Sequence, residues 1–295
     1  MRIDQSSLSS KVFKGYKVLK PDKEIHVLRS YGTRGQDDHL FRTIMRDQCS
    51  SLDFDSGAFS LNNRQQGSGP DINFNGYLQY AKTFSPFYDR IYNFDCDFGD
   101  EGFDTNIYYQ KRMEDAGLEP VPVVHSIYND EIEYYIESGY ETVALGSTQI
   151  TDFGTLAYVM EKFKNTKIKI HLFGNASFEF LTSFPIFSCD ASTWIFAGIF
   201  GDIMWWNPQK GGQNKKDYVY LEEVIPPKKS ANPLSEYEYR EDLNQYLDQE
   251  LGITENDLLG PDGSYFKGIV NLHYFLKLEE VINQIQRQKG FWTAE

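Results

Sequence analysis

The chain has 295 residues, of which 40% are hydrophobic, enough for a sizeable core and for a barrel of alternating strands and helices. Forty-three acidic residues against 29 basic ones give a net charge of -14, which argues against a generic nucleic-acid coat held by many lysine–phosphate contacts and leaves room for a local basic groove. The three cysteines, Cys49, Cys96 and Cys189, are scattered, form no CxxC pair and do not cluster with the five histidines, so no structural zinc site is expected and a reducing compartment is.

Along the chain a short apolar run repeatedly gives way to a polar or glycine break and then to a helix-like segment. EIHVLRSY, residues 24–31, reads as a strand, and DHLFRTIMRD as the helix after it. SLDFDSG ends the next strand, and FNGYLQYAKTF has helical apolar spacing. RIYNFDCD is a strand, followed by the helix NIYYQKRMEDAG, which stops at Gly117. VPVVHS is a strand. DEIEYYIESG is a helix whose first turn carries acids that complement its dipole. ETVALGS, KIKIHLFG and PIFSCDAS continue the strands, with TLAYVMEKFKN and SFEFLTSF as helices between them, and GDIMWW is an eighth candidate strand. Strands alternating with helices predict a parallel sheet, and about eight of them predict an α/β (β/α)8 TIM-type barrel, with a doubly wound open sheet as the alternative. The barrel is expected over residues 1–206. Residues 207–295 read as an extension with one strand (YVYLEEV), basic clusters in NPQKGGQNKK and PPKKS, and C-terminal helices.

Catalytic groups of a parallel barrel stand at the C-terminal strand ends. Five runs end in polar or small residues: Asp55, Asp95, His125, Gly146 with Ser147, and Asp190. Taken singly, each aspartate reads as a helix cap. Three carboxylates following buried runs around one sheet predict a shared pocket, since a buried carboxylate is costly unless paired or used. Two such groups flanking an anomeric carbon suit glycosyl transfer, one as nucleophile and one as general acid/base. A third can read the N–H donors of a guanine-like edge. Phe59 and Phe173 are placed to sandwich a flat base, and Gly146 lets backbone approach it. His125 is balanced between donating to a base carbonyl and being a satisfied strand-end residue. His171 reads as structural, and Trp194, Trp205 and Trp206 as packing.

DSGAFS, Phe94–Asp95, VALG at 143–146, HLFG at 171–174 and FSCDASTW at 187–194 occur in this order. Together they resemble the tRNA-guanine transglycosylase superfamily, and within it the phage-type DpdA-like DNA-guanine transglycosylases, over roughly residues 24–206. The resemblance implies exchange of guanine in a polynucleotide for a 7-deazaguanine, with the 7-cyano base expected and no further cofactor. It implies Asp190 as nucleophile, Asp55 as general acid/base, and Ser56, Phe59, Asp95, His125, Gly146 and Phe173 as base-binding residues. His125 stands where the tRNA enzymes use a glutamine. No cysteine follows Cys189, so their zinc subdomain is not expected, and the Lys- and Gly-rich stretch 209–229 occupies its place as a candidate nucleic-acid contact. DNA is therefore the expected partner. The alternatives are tRNA, a non-catalytic nucleic-acid-binding barrel, and a hydrolase that releases the base to water. MRIDQSSLSS has no apolar signal core and no run is long enough to span a membrane, so a cytoplasmic protein is expected, in the host cytoplasm if phage-encoded.

Overall fold

The computed structural model describes residues 1–58, 72–99, 101–146, 149–192, 201–221 and 232–291. Nine parallel strand segments form one sheet: β1 (Arg2–Ser6), β2 (His26–Ser30), β3 (Ser51–Asp55), β4 (Arg90–Tyr92), β5 (Pro120–Val121), β6 (Val123–Val124), β7 (Thr142–Leu145), β8 (Lys169–Leu172) and β9 (Ser188–Ala191). Their order is β5-β4-β3-β2-β1-β9-β8-β7-β6. The two ends of this order, β5 and β6, are halves of one stretch interrupted at Pro122, which has no N–H for a ladder. Val121 O accepts from Asn93 N on one side, and Pro122 O from Ala144 N on the other, both at 2.9 Å. Eight stretches of chain thus form a ring, a TIM-type α/β barrel.

Helices alternate with these strands: α2 (Gln36–Thr43), α3 (Phe74–Phe84), α4 (Phe103–Asp115), α5 (Glu131–Glu137), α6 (Phe153–Phe163) and α7 (Phe178–Ser183), with α1 (Ser10–Leu19) after β1. Their starts follow capping chemistry. Asn73 accepts from Gly76 N at 2.9 Å and Asp152 from Thr155 N at 2.9 Å, each satisfying an otherwise orphaned donor.

The strand expected in GDIMWW exists, but not in the barrel. β10 (Asp202–Trp206) pairs antiparallel with β11 (Lys216–Tyr220), which pairs with β12 (Asn232–Pro233) in a separate sheet. The eighth place in the ring belongs to β1, between β2 and β9. The chain accordingly divides into compact units that do not follow a cut after residue 206. Of the described residues, those within 1–7, 25–191 and 285–291 form the barrel unit. Residues 8–24 and 192–284 form the other, with α1, the antiparallel sheet, α8 (Arg240–Leu251), α9 (Glu255–Leu259) and most of α10 (Gly263–Gln288). There Trp205 is fully buried and donates from Nε1 to Tyr237 Oη at 2.9 Å, a packing role as its sequence predicts.

Strand side chains alternate between faces, so every second residue lines the barrel. Leu28, Tyr92, Val121, Val123 and Ala144 form one apolar cluster, with Phe173 packed against it. Elsewhere the lining includes an ionic cluster. Arg2 Nε lies 3.1 Å from Asp4 Oδ1, Arg2 also pairs with Asp53, and Arg90 Nε stands 3.8 Å from Asp53 Oδ2. Asp4 and Asp53 are wholly buried. Burial raises the pKa of both, with Asp53 pushing Asp4 further, while the two arginines oppose the shift. His171, also wholly buried, hydrogen-bonds Ser188 Oγ through Nδ1 at 2.9 Å, the structural role expected for it. Burial and the nearby Arg90 and Arg2 hold its pKa well below the usual imidazole value, so the ring is neutral.

Removing one partner from such a cluster leaves an uncompensated buried charge. Arg2→Met is expected to lower the unfolding free energy by about 3–5 kcal/mol in urea titrations at neutral pH.

Candidate active site

The C-terminal strand ends bring six of the sequence-predicted residues, Asp55, Ser56, Asp95, His125, Gly146 and Asp190, to one end of the barrel, and Phe173 follows β8 at the same end. Phe59, Ser147 and Trp194 lie outside the described residues.

Asp55 ends β3 and is half-buried. Its Oδ2 accepts from Gly57 N at 3.2 Å, and the Ser30 hydroxyl at the end of β2 also bonds it. Burial, then the charges of Asp95 and Asp190, raise its pKa to about 7. Gly57 has φ +80°, which favours glycine. A Cβ there would also meet the backbone N of Gly32 at 2.6 Å. The glycine of DSG therefore lets the β3 turn sit against the β2 turn.

Ser56 is fully buried and donates from Oγ to Asp95 Oδ1 at 2.9 Å. Asp95, three residues beyond β4, also faces His125 Nε2 through Oδ2 at 3.0 Å. His125 follows β6. Phe98 stacks on its ring at 4.3 Å between centroids and 22° between planes. The Glu131 carboxylate accepts from the backbone N of both His125 and Ser126, at 2.9 and 2.6 Å, and so fixes the start of this loop. Gly146 lies beside the same imidazole: an added Cβ would stand 2.8 Å from Val123 Cγ1 and 3.1 Å from His125 Cε1.

Asp190, inward-facing in β9, is 7% exposed. Gly174 N donates to its Oδ1 at 2.5 Å and Ser6 Oγ to its Oδ2 at 3.0 Å. Burial raises its pKa, and these two donors oppose the rise by stabilising the charged form. His171 Nε2 stands 3.9 Å from Oδ1. Phe173 packs its ring on Tyr92 and His171, with centroids 4.8 and 4.6 Å apart.

Three acids, at the end of β3, in the loop after β4 and in β9, thus lie close enough for the charges of two to act on the third, and they differ in setting. Asp190 is held by donors, Asp95 is tied to a hydroxyl and an imidazole, and Asp55 is poised to exchange a proton near neutrality. Carboxylates whose environments separate their roles suit a reaction that needs both an anion and an acid.

Ser6, Ser30, Phe98 and Glu131 belong to this constellation and were not singled out from sequence. For Ser30 and Glu131 a signal existed, since one ends a recognised strand and the other opens a recognised helix. Lys210 and Lys215, from the basic stretch, are engaged within their own loop. Lys210 Nζ donates to Lys216 O at 2.9 Å, and Lys215 Nζ to Pro208 O at 2.7 Å. Residues 222–229 of that stretch lie outside the described residues. Among the described residues no group of three or more His, Cys, Asp or Glu is placed to hold a metal ion, and no helix is long and apolar enough to cross a membrane. The chain matches no protein-family profile and no curated protein.

A carboxyl group with a raised folded pKa binds a proton more tightly in the native than in the unfolded chain, where an aspartate titrates near about 3.9. Asp55 therefore favours the folded state below that value, and this contribution declines as pH rises towards 7. Unfolding free energies of wild type and Asp55→Asn measured from pH 4 to 7 should show the wild type losing stability more steeply with pH than the variant.

Proposed function

We propose that the protein exchanges guanine in a nucleic acid for a 7-deazaguanine base through a covalent glycosyl-aspartate, with DNA as the polymer and the 7-cyano base as the incoming substrate. The observation that carries this reading is the convergence of Asp55, Asp95 and Asp190 at the C-terminal strand ends of one barrel, where Ser56, next to Asp55, donates to Asp95 at 2.9 Å. The reading also draws on the transglycosylase-like motifs in the sequence.

In the first half-reaction an Asp190 oxygen attacks C1′ as the C1′–N9 bond breaks, and the bond's electron pair leaves with the base. Asp55 delivers the proton that makes guanine a neutral leaving group. Asp95 holds the base by its N–H donors. In the second half, Asp55 removes the N9 proton of the incoming base, N9 attacks C1′, and Asp190 leaves as a carboxylate. A group with a pKa of about 7 suits both transfers, because each protonation state is well populated near neutrality. A duplex target has to leave its stack to reach such a pocket. Substituted bases of this kind in a bacteriophage genome would serve to evade restriction.

One observation favours a second reading. Arg34 is the single Lys or Arg among the described residues of the loops between strand end and helix, whereas Asp95, Asp97, Glu101, Asp130 and Asp152 lie there. An acidic rim disfavours a polyanion and suits the same exchange on a free nucleoside.

Labelled guanine incubated with the protein and, in parallel, duplex DNA, tRNA or deoxyguanosine tests both readings. Label retained in DNA supports the proposal, and label only in deoxyguanosine supports the second reading. No incorporation into any of them would refute both. Asp190→Asn is expected to abolish exchange and the covalent adduct detected by intact mass. Incorporation by this variant at the wild-type rate would remove Asp190 from the mechanism.

A further inference from the structure

His125 is the residue whose chemistry the base-exchange reading leaves open. Its Nε2 lies 3.0 Å from Asp95 Oδ2. When Asp95 is a carboxylate it can only accept, and Nε2 is then the nitrogen that carries a hydrogen and donates to it. In a neutral imidazole Nδ1 is then a bare lone pair. His125 is 6% exposed, and among the described residues its Nδ1 is buried with no hydrogen-bond partner. Phe98 covers one face of the ring. At Gly146 an added Cβ would come within 3.1 Å of Cε1 and 3.5 Å of Nδ1, so a side chain at this position would crowd that edge of the imidazole.

The partner such an edge needs follows from the base. A carboxylate that reads a guanine-type edge takes its N1–H and 2-amino donors. On the base these are flanked by O6 and N3, and both are acceptors. A group beside Asp95 that touches the same edge therefore has to donate. The Nε2 hydrogen is already given to Asp95, so the donor has to be a second hydrogen, on Nδ1.

We propose that His125 meets a bound 6-oxopurine as an imidazolium, taking up one proton as the base enters, and that this sets the pH range over which the pocket holds such a base. The inference rests on the base-exchange reading. The charged groups around the ring suit it. Asp95, from the loop after β4, faces Nε2, and Glu131, from α5, accepts the His125 backbone N–H at 2.9 Å. Asp55, from β3, lies near Asp95. All three are carboxyl groups, and the carboxylate form of each offsets a charge on the imidazole. A glutamine amide at this position donates without any proton uptake, so Gln and His here differ in pH dependence rather than in hydrogen-bonding capacity.

The test is calorimetric binding of free 7-cyano-7-deazaguanine to the full-length protein, at one pH, in buffers of different ionisation enthalpy. The dependence of the measured heat on buffer gives the protons taken up. The protein with His125 intact and the His125→Gln variant are compared in an Asp55→Asn background, which removes the neighbouring group that also titrates near neutrality. The expected result is uptake of one more proton with His125 intact than with His125→Gln. Affinity with His125 intact should also fall about tenfold per pH unit across the range where the imidazolium is lost, with a flat profile for His125→Gln. Equal uptake in both proteins, with the base still bound, overturns the proposal and leaves base exchange standing. Failure of the wild-type protein to bind the base at all overturns both.

Discussion

Two arginines stand among acids inside the barrel, and the lining is arranged around them. Arg2 engages Asp4 and Asp53, and Arg90 approaches Asp53 from the neighbouring strand. Isolated carboxylates at these depths would be too costly to keep charged. The guanidinium groups make a polar floor possible at the N-terminal ends of β1 and β4. Above it the same face of the sheet delivers further polar groups at two-residue intervals: Asp55 follows Asp53 on β3, and Ser6 follows Asp4 on β1. The apolar part of the lining, from Leu28 to Ala144, fills the space that the ion cluster does not.

Strand order turns this periodicity into a site. β2 and β3 are neighbours, so Ser30 and the DSG turn come together, and close approach of Gly57 to Gly32 draws the two turns against each other. β1 and β9 are neighbours, so the Ser6 hydroxyl reaches Asp190. β8 adds the Gly174 N–H to the same carboxylate. Each acid is therefore tuned by groups from adjacent strands. Asp190 is steadied by donors and Asp55 is raised by its neighbours, while Asp95 is anchored between Ser56 and His125.

The parts of this arrangement legible in the sequence are those where apolar runs mark a strand and a polar residue marks its end. Asp55, Asp95, His125, Gly146 and Asp190 were readable for that reason, as was the alternation that defines the barrel. RIDQS was not. Its inward residues, Arg2, Asp4 and Ser6, are polar because they serve the ion cluster and Asp190, so the segment shows no apolar run. GDIMWW has the apolar character of a barrel strand, but its burial comes from a separate antiparallel sheet. Composition shows that a strand is buried and not against what. Asp53 escaped notice similarly: within SLDFD it is the acid at the end, Asp55, that looks anomalous, although Asp53 is the deeper of the two. The basic stretch illustrates the opposite limit. Lysines in a polar loop look free in sequence, yet Lys210 and Lys215 are turned onto the carbonyls of their own turn.

The place of β1 carries a consequence for how the chain acquires its structure. Asp4 is in register with Asp190, so the earliest strand of the ring in chain order pairs with the last. Until β9 is available, one edge of β1 stays open, and the polar face of RIDQS has little hydrophobic drive to hold it in place. Contacts between such distant segments close late, because the loop-closure entropy precedes the stabilisation. Completion of the Ser6–Asp190 pair thus depends on the pairing of the first and last strands of the ring. The same pairing that orients the carboxylate would also be the step that converts an open parallel sheet into a closed ring.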